Sequence, residues 1–282
     1  MSAMTPAELT DDVLRAFGGA PDARLRELIS ALITHLHAFA AETGLTQQEW
    51  MTGLQFLTAV GQKCDAQRQE YVLLSDVLGL SSLVDVINAE AGATESTVLG
   101  PFYVAGAPER AMGVHIGRPE DGSPTLVRGR VTDLAGEPLD GAVLDVWQSS
   151  GHGLYDTQDP DQPPFNLRGV FTTGPDGRFE FRTARPASYP IPTDGPVGSL
   201  LRAAERSQWR AAHIHAIVSA PGCRPVTTHV FDAENPYLES DAVFGVKGSL
   251  VRPFRPSGPA DPPDVSHVVD MDFTLAGLSA PA

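Results

Sequence analysis

The chain has two textures of apolar and polar positions, and they change near residue 95. In the first part, Leu25, Leu28, Ile29, Leu32, Ile33, Leu36 and Phe39 recur at i, i+3, i+4 and i+7, the stripe of a long amphipathic helix. Pro21 and Asp22 mark its start and Gly44 its end. Thr46 followed by Glu49 is a capping-box pattern opening a second helix, with Trp50, Leu54, Leu57 and Cys64 on one side. A third helix is predicted from about Arg68 to Val77 and a fourth from Ser81 to Ala91.

Beyond residue 100 short alternating runs take over, separated by turns. Thr125 to Val131, Ala142 to Trp147, Arg178 to Arg182, His213 to Val218, Thr227 to Phe231 and Val268 to Leu275 read as strands. Pro175-Asp176-Gly177 and Leu134-Ala135-Gly136 supply turn chemistry between them. The pattern predicts a mainly β protein, a β-sandwich preceded by a helical segment, with the boundary between residues 97 and 98. The stripe from Leu25 to Phe39 is too apolar for a solvent-facing arm. The helical segment is therefore expected to bury it between two subunits of a two-fold homodimer.

Charge narrows the partners. A formal net charge of −15 over 282 residues, with no Lys/Arg cluster, argues against nucleic acid and anionic membrane surfaces. No apolar run approaches a membrane span of ~20 residues. The start, Met1 to Pro6, lacks a basic-then-apolar leader, and two cysteines cannot build a disulfide framework. The expectation is a cytoplasmic protein.

Candidate chemistry gathers around four side chains. His213 and His215 are two apart on a predicted strand, so both imidazoles point to one face. Alone, such a pair is as readily two unrelated histidines as a metal site. Tyr155 and Tyr189 are two of only five tyrosines, and both lie in Gly/Pro-rich segments that normally spend residues on turn geometry. Each alone reads more simply as a half-buried ring with its hydroxyl on a carbonyl. As a set, two phenols and two imidazoles make a hard N/O site suited to a highly charged ion such as Fe(III), which would drive the phenols to phenolates. Cys64 and Cys223 have no zinc-type spacing.

The motifs Thr94-Glu95-Ser96-Thr97-Val98-Leu99-Gly100-Pro101-Phe102-Tyr103, Leu139 to Gln148, the Tyr155 and Tyr189 loops, and Arg210-x-x-His213-x-His215 resemble those of the intradiol ring-cleaving dioxygenases. The resemblance covers nearly the whole chain. It implies an Fe(III) site held by Tyr155, Tyr189, His213 and His215, and an aromatic diol or triol cleaved with O₂. Arg210 would lie over the substrate as a catalytic cation, and Tyr189 would be the ligand that gives way and accepts a substrate proton. The implied substrate pocket comprises Leu73, Asp76, Val98, Gly100, Pro101, Phe102, Ile191, Pro192 and Arg210. A helical dimer able to hold a phospholipid is implied as well.

His229, the run Asn235 to Lys247, Leu73-Leu74-Ser75-Asp76 and Ile191 to Gly198 resemble the hydroxyquinol-cleaving branch, where catechol enzymes carry Gln in place of His229. On that reading hydroxyquinol (benzene-1,2,4-triol) gives 3-hydroxy-cis,cis-muconate and then maleylacetate, with Asp76 accepting from the third ring hydroxyl. Catechol cleavage to cis,cis-muconate is the alternative. A cupin-type Fe(II) oxygenase and a metal-free transthyretin-like binding module are further ones. Two features depart from the pattern. Ala211 stands where the family has Pro, which is expected to loosen Arg210, and His152 has no assigned role.

Overall fold

The computed structural model describes residues 3–65 and 68–278. They form two compact units that divide between Ala59 and Val60.

The first unit is helical. α1 (Pro6–Phe17), which the hydrophobic pattern did not flag, is opened by a Thr5–Glu8 capping box. The Thr10 hydroxyl meets His37 Nδ1 at 2.9 Å, joining α1 to α2 (Ala23–Thr43). Asp22 accepts from the Leu25 N–H, and Gly44 ends α2 in the left-handed region at φ 60°, where a Cβ would be strained. Thr46 and Glu49 exchange hydrogen bonds ahead of α3 (Gln47–Gln62), the capping box read from sequence. No residue of α1 or α2 is buried in the protomer. Leu25, Leu28, Leu32, Leu36 and Phe39 are each about half exposed.

The second unit opens with α4 (Glu70–Val77) and α5 (Leu80–Ile87). α5 stops short of the expected Ala91 because Asn88 turns its side-chain amide back onto the Val84 carbonyl at 2.8 Å, a local cap that competes with further helix. The strands follow: β1 (Pro124–Asp133), β2 (Val143–Gln148), β3 (Arg168–Thr172), β4 (Arg178–Ala184) and β5 (Tyr189–Pro190). After α6 (Pro196–Ala203) come β6 (Trp209–Arg210), β7 (His213–Ser219), β8 (Val226–Asp232), β9 (Val251–Arg252), β10 (Arg255–Pro256), β11 (His267–Asp270) and β12 (Phe273–Leu275). One sheet is built on β1, with β4 antiparallel on one edge and β11 and β12 parallel on the other. The second runs β3-β2-β7-β8-β9. Inward residues of both, among them Val127, Phe181 and Val269 on one and Leu144, Phe171 and Ile214 on the other, share a single core. Each such side chain contributes about 1.5–3 kcal/mol by leaving water. A sheet-rich sandwich unit that follows a helical N-terminal segment is the architecture expected.

The run Val268 to Leu275 is two strands, not one. The chain steps out at Met271 and Asp272, and Asp272 accepts from the Arg130 N–H at 2.8 Å. The Met271 carbonyl then presses on Gly129, where a Cβ would lie 1.8 Å from the oxygen. β3, β5, β6, β9, β10 and α6 also lie outside the predicted elements; β5, β6, β9 and β10 are two-residue segments with no period to read.

Candidate metal centre

On β7, Ile214, Ala216 and Val218 point into the core, so His213 and His215 point to the other face of the sheet. Loops cover that face and bury both imidazoles completely. Trp147, directly across from His215 in β2, stacks on its ring at 4.5 Å with 11° between planes. His213 Nδ1 lies 2.5 Å from the Ala211 carbonyl and donates to it. That bond fixes the tautomer and leaves Nε2 as the acceptor atom of the ring.

Tyr155 comes from the loop between β2 and β3. A tight turn at Gly153, φ 81°, leads into it, and the buried pair Arg168–Asp156 at 2.6 Å anchors the loop just beyond. Arg168 also donates to the Phe102 carbonyl at 2.8 Å. Phe102 in turn stacks on Tyr155 at 4.5 Å. Tyr189 forms β5 and sits opposite Arg210 of β6.

The four side chains meet in a closed ring. Tyr155 Oη lies 3.2 Å from Tyr189 Oη, which lies 3.4 Å from His213 Nε2. His213 Nε2 is 3.0 Å from His215 Nε2, and that atom is 3.1 Å from Tyr155 Oη. Separations of this size are those of donors each ~2 Å from one common point. Burial, then the neighbouring Tyr189, pushes the Tyr155 phenol well above its usual range. Tyr189 is raised by burial, with Arg210 opposing. Burial first, with Arg210 adding at His213 and His213 adding at His215, holds both imidazoles well below the usual histidine range. The imidazoles are therefore in their ligand form. The phenols need a strong positive charge to ionise, so the donor set fits a hard, highly charged cation.

His229 is the third imidazole here, its ligand atoms within 4.8 Å of those of His213 and His215. Its ring stacks on His213 at 4.4 Å and stands edge-on to His215 at 4.1 Å. Neither of its nitrogens makes a hydrogen bond. Among the described residues no carboxylate joins the group, as a cupin site would want.

Arg210 is buried, with Nε 3.2 Å from Asp241 Oδ1 and Nη1 3.3 Å from His213 Nε2. Burial disfavours its charge, but Asp241 and the two phenol oxygens outweigh that and keep it cationic. Ala211 offers a hold of its own beside this arginine. Its N–H, which a proline would lack, donates to Asp241 Oδ1 at 3.2 Å and ties the segment down.

Of the expected pocket residues, Pro101, Phe102, Ile191 and Pro192 line one cleft of about 390 Å³, together with Arg68, Gln158, Pro190 and Asp194. Gly100 backs His215, where a Cβ would stand 3.3 Å from Cε1. Leu73, Asp76 and Val98 are buried and lie off that wall. Burial raises the Asp76 pKa, while Ser81 and the positive charge of Arg210 pull it down. His152 is a surface residue with Nε2 3.1 Å from the Glu120 carbonyl. Sequence reasoning missed Asp156, Arg168 and Asp241; their partners are distant in the chain, and no spacing signals them.

Two family descriptions match, "Dioxygenase" over residues 98–277 and "Catechol dioxygenase N terminus" over residues 22–96. A hydroxyquinol 1,2-dioxygenase of a Rhizobium species is 51% identical over 87% of this chain and 84% of its own length. A 6-chlorohydroxyquinol 1,2-dioxygenase of Cupriavidus pinatubonensis is 46% identical over 95% of this chain and 96% of its own. The crystal structure of hydroxyquinol 1,2-dioxygenase from Pseudomonas putida superposes with a TM-score of 0.89 at 47% identity, covering 97% of this chain and 99% of that one. With a buried ring of two phenols and two imidazoles on a sandwich that these relatives share, the chain belongs to the intradiol ring-cleavage dioxygenases.

Proposed function

We propose that the protein cleaves hydroxyquinol between its two adjacent hydroxyls, giving 3-hydroxy-cis,cis-muconate and its tautomer maleylacetate. The observation that carries the chemistry is the closed ring of Tyr155, Tyr189, His213 and His215 donors beside the buried cation Arg210. The relatives' substrates and the buried carboxylate Asp76 support the triol over catechol.

Tyr155, Tyr189, His213 and His215 would hold Fe(III). When bound, the iron supplies the charge that ionises the phenols and withdraws electron density from the substrate ring, making it reactive toward O₂. Tyr189 Oη, once ionised, would be the base that accepts a substrate hydroxyl proton. Arg210, a permanent cation, would oppose carbanion-like charge on the ring, where a buried, fixed charge acts far more strongly than in water. Pro101, Phe102, Ile191 and Pro192, which line one cleft, would form apolar walls that orient the ring and exclude water. Asp76 would accept from the third hydroxyl, the only donor that distinguishes the triol from catechol.

The half-exposed stripe of α2 supports a homodimer in which the N-terminal helices, read as the segment up to residue 97, cover it. An apolar cleft of about 1100 Å³ within the first unit, lined by Leu9, Ala38, Ala41, Leu45 and Trp50 among others, supports a bound lipid chain. Among the described residues no helix is long and apolar enough to cross a membrane. Cys64 and Cys223 are free thiols, which supports a reducing, cytoplasmic setting. Oxygen uptake by the iron-loaded enzyme, measured with hydroxyquinol and catechol in parallel, tests the substrate. Faster cleavage of hydroxyquinol is the expected result, and a preference for catechol overturns the substrate assignment.

A further inference from the structure

We propose that Asp241 is the positioning residue for Arg210, aiming the guanidinium fork at the substrate. The proposal rests on the reading of Arg210 as the cation over the ring. Both side chains are buried, at 2% exposure for Arg210 and 5% for Asp241. Asp241 Oδ1 accepts from Arg210 Nε and from the Ala211 N–H, each at 3.2 Å. Its other oxygen accepts from the Gly245 N–H at 2.9 Å. The carboxylate thus grips the arginine at the root of its fork and by the backbone of the next residue. Of the terminal nitrogens, Nη1 lies 3.3 Å from His213 Nε2, and Nη2 is buried close to Gly245 with no hydrogen-bond partner. A buried, unpaired donor beside a binding site is costly unless something else supplies the acceptor.

The seat itself is stiff. Thr97 Oγ1 donates to the Gly245 carbonyl and Ser82 Oγ to the Phe244 carbonyl, both at 2.8 Å. Arg206 donates to the Ala242 carbonyl at 3.1 Å and lies 4.5 Å over the Phe244 ring. Phe244 adopts φ 56°, a strained value for a bulky residue, so the turn is held by these contacts and not by its own preference. Gly245 is part of the device. A Cβ there would sit 2.8 Å from Arg210 Nη2, so any side chain would displace the fork.

Removing one member of a buried pair strands the other charge, which also threatens folding. The test therefore uses a double-mutant cycle with iron-loaded protein. Asp241→Asn should lower kcat about 10–100-fold, the cost of misplacing a catalytic group by ~1 Å, while KM and the iron-to-phenolate absorption band hold. Adding it to Arg210→Gln should cost nothing further, because no fork remains to aim. Gly245→Ala should lower kcat about tenfold with the band and melting temperature unchanged, and it carries the test if Asp241→Asn does not fold. Equal costs of Asp241→Asn in the presence and absence of Arg210, or wild-type kcat in Gly245→Ala, overturn the proposal. Wild-type turnover by Arg210→Gln overturns the role of Arg210 itself, and the positioning role with it.

Discussion

Tyr189 and Arg210 stand directly opposite one another in the two-residue ribbon of β5 and β6. One is the phenol that completes the donor ring and the other is the buried cation beside it. Because they share a ribbon, a shift of either loop moves the base and the charge together, and their relative placement survives such a shift.

That pairing makes Tyr189 the informative phenol to remove. With iron bound, Tyr189→Phe should weaken the visible charge-transfer band and slow turnover by at least the ~10–100-fold seen when a ligand's supporting contacts are lost. Tyr155→Phe, whose loop is anchored by Asp156 and Arg168, should chiefly reduce iron content. Absorption spectra, metal analysis and kcat read all three. An unchanged spectrum and rate in Tyr189→Phe would leave that residue a structural role only.

On the proposed reading, Asp76 would decide substrate choice. A site built around a hydrogen bond rejects the analogue that lacks the donor by up to ~10⁴–10⁵-fold. Asp76→Ala should therefore narrow the hydroxyquinol-to-catechol ratio of kcat/KM by about tenfold or more, mainly through slower hydroxyquinol cleavage. If the ratio does not move, the carboxylate does not contact the substrate.

Gly129→Ala should destabilise the fold while leaving the donor ring untouched. The new Cβ would collide with the Met271 carbonyl, which belongs to the step between two strands paired to β1. The atom in the way is backbone and cannot rotate aside, so the loss should reach or exceed the usual 1–3 kcal/mol of overpacking. Thermal or urea unfolding checks it, and a melting temperature equal to that of the parent would show that the step at Met271 is soft.

Assembly is tested by sedimentation. Leu25, Leu28, Leu32, Leu36 and Phe39 lie along one face of α2 and stay about half exposed in the protomer, more apolar surface than a solvated helix face carries. Velocity runs at micromolar concentration should show a dimer, and Leu32→Glu should shift the population toward monomer. A wild-type monomer under those conditions would refute the two-fold arrangement.

The helices with strong periodicity and both caps of α2 were legible from the sequence alone. Hydrophobic spacing and the residues Asp22 and Gly44 act locally, within a turn or two of chain. The His213/His215 pair was legible for the same reason: a strand's two-residue repeat places both imidazoles on one face without any other part of the chain. Tyr155 and Tyr189 stand out only by their Gly/Pro-rich settings, and the resemblance is what assigns them to the metal. What only the tertiary structure decided is how these groups meet and what holds them. Asp156 lies 12 residues before Arg168, and Asp241 lies 31 residues beyond Arg210, yet each pair is in direct contact. The same long-range geometry gives Ala211 a tie that its place in the sequence does not announce, since its N–H matters only because Asp241 arrives beside it. Local patterning sets period and face. The pairing of buried charges depends on which distant loops pack together, and that is settled by the sandwich as a whole.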